Sequence, residues 1–190
     1  FVGCIIAGDS KKTQKMLVFY GEPGTGKSTI IGKVIADNLL GGYEGYATKF
    51  EANNLASRDQ FGTDFLEHDS VLAYDDDAEL GMISSKTTLN KIISHESIRV
   101  NAKFKSPFII KPNCLLIVGS NEPVQLSPNS GMNRRLIDVR PTGNKLTPHD
   151  YDICVEQLPF ERSGIAWRCL QTYKKLGRHY YDHYIAEDML

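Results

Sequence analysis

The sequence predicts an α/β fold: a parallel sheet flanked by helices, with a β-hairpin inserted between strands and a helical segment at the C-terminal end. Three observations predict it. Short continuous apolar runs recur at Met16 to Tyr20, Ser70 to Tyr74 and Asn113 to Asn121, the pattern of strands buried on both faces. Between them lie residues at helical spacing, Ile30, Ile31, Val34, Ile35 and Leu39, then Leu89, Ile92 and Ile93. The turn after the first run reads G-x-x-x-x-G-K-S, from Gly21 to Ser28, with a strand before it and a helix after it. In that setting glycines let backbone N–H groups wrap a phosphate chain at a helix N-terminus.

The totals fit this class. The chain has 190 residues, 41% of them hydrophobic, enough for one core with a helical appendage. Net charge is −1, so nucleic acid could be met only through a local basic patch. Cys4, Cys114, Cys154 and Cys169 are scattered and form no C-x-x-C pair, a reduced pattern without a zinc site. No apolar run is long enough to span a bilayer, so the expectation is a soluble cytoplasmic protein. The chain begins at Phe1 rather than Met, which suggests a piece of something longer. Three parts are expected: residues 1–14 as the end of a preceding helical segment, 15–145 as the nucleotide-binding core, and 146–190 as a C-terminal helical segment.

Taken in order, Phe1 to Ala7 reads as a helix stopped by Gly8-Asp9. In the phosphate loop Gly21, Glu22, Pro23, Gly24, Thr25, Gly26, Lys27, Ser28 and Thr29 are expected to hold the triphosphate, with Lys27 at the β/γ-phosphates and Ser28 on Mg²⁺. A second strand is expected near Tyr46 to Phe50, then a polar loop with helical turns from Glu51 to Asp69. The run Ser70 to Tyr74 ends in Asp75-Asp76-Asp77, and the carboxyl ends of strands face the ligand crevice of an α/β sheet. Asp75 is assigned to the metal and Asp76 to the attacking water. Three consecutive aspartates leave that register open by one residue, so Asp77 stands beside them; a solvated, helix-capping turn is the alternative.

Ser84 or Ser85 can cap the helix carrying Leu89. Ile98, Val100 and Ala102 then alternate with polar residues until Ser106-Pro107, a hairpin or bulged ribbon. It carries Arg99, Lys103, Lys105 and Lys111 and no acid, with Phe104 between two lysines. Such a tip can grip a single strand through phosphates and a stacked ring, or simply be a charged hairpin in water. Asn121 ends the next strand, where it can position water or open an Asx turn. Arg134 and Arg135 precede a final strand, Leu136 to Val139, as surface charge or as a finger toward the γ-phosphate, supplied in cis or by a neighbour. Helices are expected at Thr147 to Gln157 and Phe160 to Leu176. His179 and His183 lie at i, i+4 but lack a third ligand, so an aromatic packing helix is the better reading of the tail.

The succession YGEPGTGKST, VLAYDDDAEL, SIRVNAKFK, LLIVGSNEP and NRRLIDVRP resembles a superfamily 3 helicase domain. The likeness is to phage and plasmid primase-helicases related to the poxvirus primase-helicase, which are AAA+-like P-loop ATPases, and it covers about Phe1 to Pro141. The resemblance implies ATP and Mg²⁺ as cofactors, with Lys27 and Ser28 in the first motif and Asp75 and Asp76 in the second. It implies Lys103, Phe104 and Lys105 on a DNA-gripping hairpin, Asn121 as sensor, and Arg135, with Arg134 as understudy, as a finger offered to the adjacent subunit. Such proteins form rings, usually hexameric, that move 3′ to 5′ on single-stranded DNA; an upstream primase and, for a phage protein, the host cytoplasm follow. Two departures are the third aspartate and Phe104, which replaces a histidine found in some animal-virus relatives. Alternatives are an ATPase for nucleoprotein assembly and a nucleotide kinase.

Overall fold

Seven strands run through the computed structural model, which describes residues 1–56, 62–79, 86–102, 105–123, 131–179 and 181. They are β1 (Met16–Tyr20), β2 (Ala47–Lys49), β3 (Leu72–Ala78), β4 (Ile98–Val100), β5 (Phe108–Ile110), β6 (Leu115–Ser120) and β7 (Leu136–Val139). Five of them form one parallel sheet in the order β2-β3-β6-β1-β7. β1 and β6 are buried along their whole length, which is why both read as unbroken apolar runs. Leu17 and Phe19 face one core with Ile31, Ile35 and Ala36, whereas Met16, Val18 and Tyr20 face another with Leu89, Ile92 and Val100. The expected hairpin is present as antiparallel β4 and β5.

The helix after the phosphate loop differs from its 3.6-residue reading. Thr29–Leu39 is wound as a π-helix, and the Leu40 N–H donates to the Ile35 carbonyl five residues back. Ile31 and Ala36, like Ile35 and Leu40, are buried pairs five apart, the step that i→i+5 winding brings to one face. Ile30, expected inside, is therefore turned outward and 38% exposed.

β3 also departs from expectation. It does not end before the aspartates but carries all three, and its register on β6 shifts between Asp75 and Ala78. The polar stretch behind β2 contains α2 (Ala52–Ala56) and a 3₁₀ turn, Asp64–Glu67. α3 (Lys86–Ile93) buries Leu89, Ile92 and Ile93 as predicted; its capping residue, Ser84 or Ser85, lies outside the described residues.

The two helices expected at the C-terminal end are one, α4 (Pro148–Leu176), which runs through Pro159. Proline removes a backbone donor and ordinarily breaks a helix. Here the buried Asn38 spans the site: its Nδ2 donates to the Leu158 carbonyl at 2.9 Å, and Arg162 Nε donates to its Oδ1 at 3.3 Å. Thr147 caps α4, accepting from the Asp150 N–H at 3.2 Å, with Pro148 at the first position, where a missing N–H costs nothing.

α1 (Val2–Ile6) packs on the far end of α4, and Tyr173 donates its hydroxyl to Asp9 Oδ2 at 2.9 Å. A Cβ on Gly3 would lie 2.1 Å from the Cys169 carbonyl oxygen and 2.7 Å from Tyr173 Cβ. Gly3→Val should therefore pry α1 from α4 and cost about 1–3 kcal/mol, seen as a fall in melting temperature without loss of the sheet's circular dichroism. In the tail, Tyr181 is buried with its hydroxyl against Thr13; His183 lies outside the described residues. Among the described residues no helix is long and apolar enough to cross a membrane.

Candidate active site

β1 delivers the chain at Gly21 to the carboxyl edge of the sheet, where the loop turns into the π-helix. Gly24 and Gly26 take φ of 78° and 87°, a left-handed backbone that side chains resist. Thr25 Oγ1 donates to the Glu22 carbonyl at 2.8 Å. The turn draws Lys27 inward until it is 6% exposed. Its Nζ donates to the carbonyls of Gly21 at 2.7 Å and Glu22 at 2.9 Å, and to Asn121 Oδ1 at 3.1 Å. Burial holds the Lys27 pKa below the ordinary lysine value, and the charge of Asp77 offsets part of that shift. Its hydrogen-bond partners are three neutral oxygens, so a desolvated ammonium stands here without a hydrogen-bonded anion.

Strand alternation, interrupted by the register shift on β6 between Asp75 and Ala78, sorts the three aspartates. Asp75 points to the α2 side: its Oδ2 accepts from the Ala52 N–H at 2.8 Å and its Oδ1 from the Asp77 N–H at 3.2 Å. Burial pushes its pKa up, against these two bonds. Asp76 lies on the π-helix side, with Oδ1 2.6 Å from Lys49 Nζ, and this pairing raises the lysine's pKa. The Asp76 backbone carbonyl accepts from Ser28 Oγ at 3.0 Å. Asp77 lines the cleft itself, with Lys27 and Asn121.

That cleft has a volume of about 720 Å³ and runs along the loop from Pro23 to Ile30. Gly21 and Glu22 contribute the carbonyls that hold Lys27 rather than its walls. The structure thus brings together the loop, Asn121 and Asp77, sets Asp76 behind Ser28, and leaves Asp75 outside. The opposite wall consists of Asn144, Leu146, Pro148 and Tyr151, and Lys145 crosses Gly24, its Nζ 3.8 Å from where a Cβ would stand. None of these was singled out from the sequence. The available signal was the Thr147-Pro148 helix start, which fixes where the next turn of side chains must fall.

Arg134 and Arg135 form a 3₁₀ turn just before β7, whose first residue Leu136 pairs with Met16, the first of β1. They stand at the amino edge of the sheet, across from the phosphate loop, so a role in cis is excluded. Arg135 turns to Ser94 Oγ, at 3.2 and 3.3 Å, and to the Gly131 carbonyl at 2.7 Å; burial, then Arg134, lowers its pKa. Arg134 is exposed. At the hairpin, Lys105 pairs with Glu67, while Lys103 and Phe104 lie outside the described residues.

Residues 19–135 match the model of a family described as a family of unknown function, DUF5906. The RNA1 polyprotein of Broad bean wilt virus 1 is 23% identical over 202 residues, covering 96% of this chain and 10% of the polyprotein. Among solved structures, the apo C-terminal region of NrS-1 (305–718) superposes with a TM-score of 0.69 at 20% identity, over 100% of this chain and 45% of that one. A JCV helicase bound to a small acetamide compound superposes with a TM-score of 0.52 at 15% identity, over 92% of this chain and 56% of that one. The chain spans less than half of the NrS-1 region. These likenesses show a shared α/β fold with a parallel sheet.

Proposed function

The chain belongs to the DUF5906 family of unknown function, and from that premise we propose that it is the ATP-hydrolysing motor of a nucleic-acid helicase. The observation that carries the reading is the meeting of Lys27, Asp77 and Asn121 in one cleft at the carboxyl edge of a parallel sheet. The fold shared with a JCV helicase supports it.

A nucleoside triphosphate with Mg²⁺ fits the residues present. Lys27 is a buried cation held only by neutral hydrogen-bond partners, and a phosphate chain supplies the missing anion. Bound MgATP brings the phosphoanhydride and the divalent charge that spreads over its oxygens. Ser28 and Asp76 are the residues that would hold the metal. Asp77 takes the role of orienting the attacking water, one register later than the first choice from sequence, because Asp75 is committed to two backbone amides. Asn121 shares that task from the end of β6 and reports on the γ-phosphate through Lys27.

Arg134 and Arg135 act in trans in this reading, each chain completing its neighbour's site in a ring, with six members as the expected number. Lys103, Phe104 and Lys105 grip single-stranded DNA, and hydrolysis carries the hairpin 3′ to 5′ along it. The test is ATP turnover with and without single-stranded DNA, followed by displacement of a strand from duplexes tailed at either end. Turnover that DNA accelerates, with unwinding from the 3′ tail, supports the motor. ATP-dependent oligomers with no phosphate release would replace it with an assembly module. Lys103→Ala should keep basal turnover and lose the acceleration by DNA; an unchanged response would remove the hairpin from the mechanism.

A further inference from the structure

We infer that the segment after the last strand seats the base and ribose of the nucleotide, with Leu146, Pro148 and Tyr151 facing Ile30 across an apolar slot. The inference rests on the reading of the cleft as a nucleoside triphosphate site, and it assigns that site's specificity wall.

The cleft is lined by residues of two kinds. Lys27, Asp77 and Asn121 are all polar or charged. Its lining also includes Ile30, Leu146, Pro148 and Tyr151, and Tyr151 stands against Thr29, two residues beyond Lys27. Leu146 lines the cleft while 60% exposed, an apolar side chain left in water. In a loop of this kind the lysine reaches the β- and γ-phosphates and backbone N–H groups cradle the α- and β-phosphates. The charged residues thus take the β- and γ-phosphates, and a triphosphate laid along the loop delivers its nucleoside to the apolar ones. The volume, about 720 Å³, is in the range of sites that enclose a whole small ligand, roughly 300–1,000 Å³.

The wall is held in place. Thr147 and Asp150 lock the first turn of α4 and so fix Tyr151. Its hydroxyl accepts from Thr29 Oγ1 at 3.4 Å, and Lys33 Nζ lies 5.2 Å from the ring centroid. With the hydroxyl already engaged by the loop, Tyr151 offers a nucleoside chiefly its ring. Recognition on this side is by apolar contact and stacking, which hold any flat base without reading its edge.

Titration of the full chain with MgATP and, separately, with magnesium tripolyphosphate tests the assignment. Parent, Leu146→Asp, Tyr151→Ala and, as a control on the exposed side of the same helix, Phe160→Ala are compared. Loss of a stacking partner is worth about tenfold in affinity. Leu146→Asp and Tyr151→Ala should lose that much for ATP while binding tripolyphosphate like the parent, and Phe160→Ala should match the parent for both. Parental ATP affinity in both wall variants overturns the seat alone, as does an equal loss for ATP and tripolyphosphate. A parent chain that binds neither ligand overturns the nucleotide-site reading and the seat with it.

Discussion

Lys27→Ala is expected to abolish nucleotide hydrolysis, with a fall of at least about 10²–10³-fold, the usual cost of removing one charge stabiliser from a transition state. The residue is the buried cation of the cleft, and other described cations around the loop are placed differently: Lys49 is paired with Asp76, Lys145 crosses Gly24, and Arg140 lies over the Tyr20 ring. Nucleotide binding should fall with it, since the loop would keep its backbone turn but lose the buried charge. Stability should change far less. Because burial lowers the Lys27 pKa below 10.5, the folded chain gives up this proton more readily than the unfolded one. The desolvation penalty is therefore present at neutral pH and fades only as the pH rises toward 10.5. Alanine removes that penalty together with three hydrogen bonds. Phosphate release measured beside a thermal melt separates the two effects: lost turnover with a melting temperature close to the parent's is the expected pair. The same depressed pKa predicts that ATP affinity weakens as the pH is raised, since only the protonated lysine attracts phosphate.

Asp77→Asn is the second large effect. It should lower turnover by about 10²–10⁴-fold, the range for removing a positioned acid or base, and leave ATP binding intact. Asp75→Asn should do little to turnover, and Asp75→Ala should act on folding instead. It strips the acceptor from the Ala52 N–H at the start of α2, a loss of about 1–2 kcal/mol. The pH dependence has a defined sign. Burial raises the Asp75 pKa above 3.8, so the ionised side chain carries a cost above its folded pKa that is relieved as the pH falls toward 3.8. Turnover and melting temperature measured on both variants decide the register: if Asp75→Asn is the dead enzyme and Asp77→Asn the active one, the assignment reverses.

That register was the part of the site the sequence held back. Composition and motif spacing located β1, the phosphate loop, β6 with Asn121, and the hairpin, because each follows from local chemistry: an apolar run, a glycine turn, an alternation. Which of three adjacent aspartates faces the loop depends on strand alternation and on a register shift against β6, and neither is encoded in a run of identical residues. The π-winding of Thr29–Leu39 is a similar case, since Ile30, Ile31, Val34, Ile35 and Leu39 satisfy a 3.6-residue face well, and only packing on the sheet selects five-residue steps. The tie between α4 and Asn38 beside Pro159 joins residues some 120 positions apart, which no local pattern announces. The wall from Asn144 to Tyr151 was invisible for another reason: its residues become a site only by folding back over a loop distant in sequence.

Lys27 does not wait in the cleft as a free group. It already grips Asn121, and the Gly21 N–H grips the Ser120 carbonyl at 3.3 Å, so the loop is moored to the tip of β6 by side chain and main chain together. A phosphate that pulls Lys27 toward itself must loosen the first mooring, and β6 is hydrogen-bonded to β3 on one flank and β1 on the other. Filling the cleft is then felt as slack in the middle of the sheet, and amide hydrogen exchange at Gly119 to Asn121 is expected to differ between the empty and the nucleotide-saturated chain while the rim strand β7 stays unchanged.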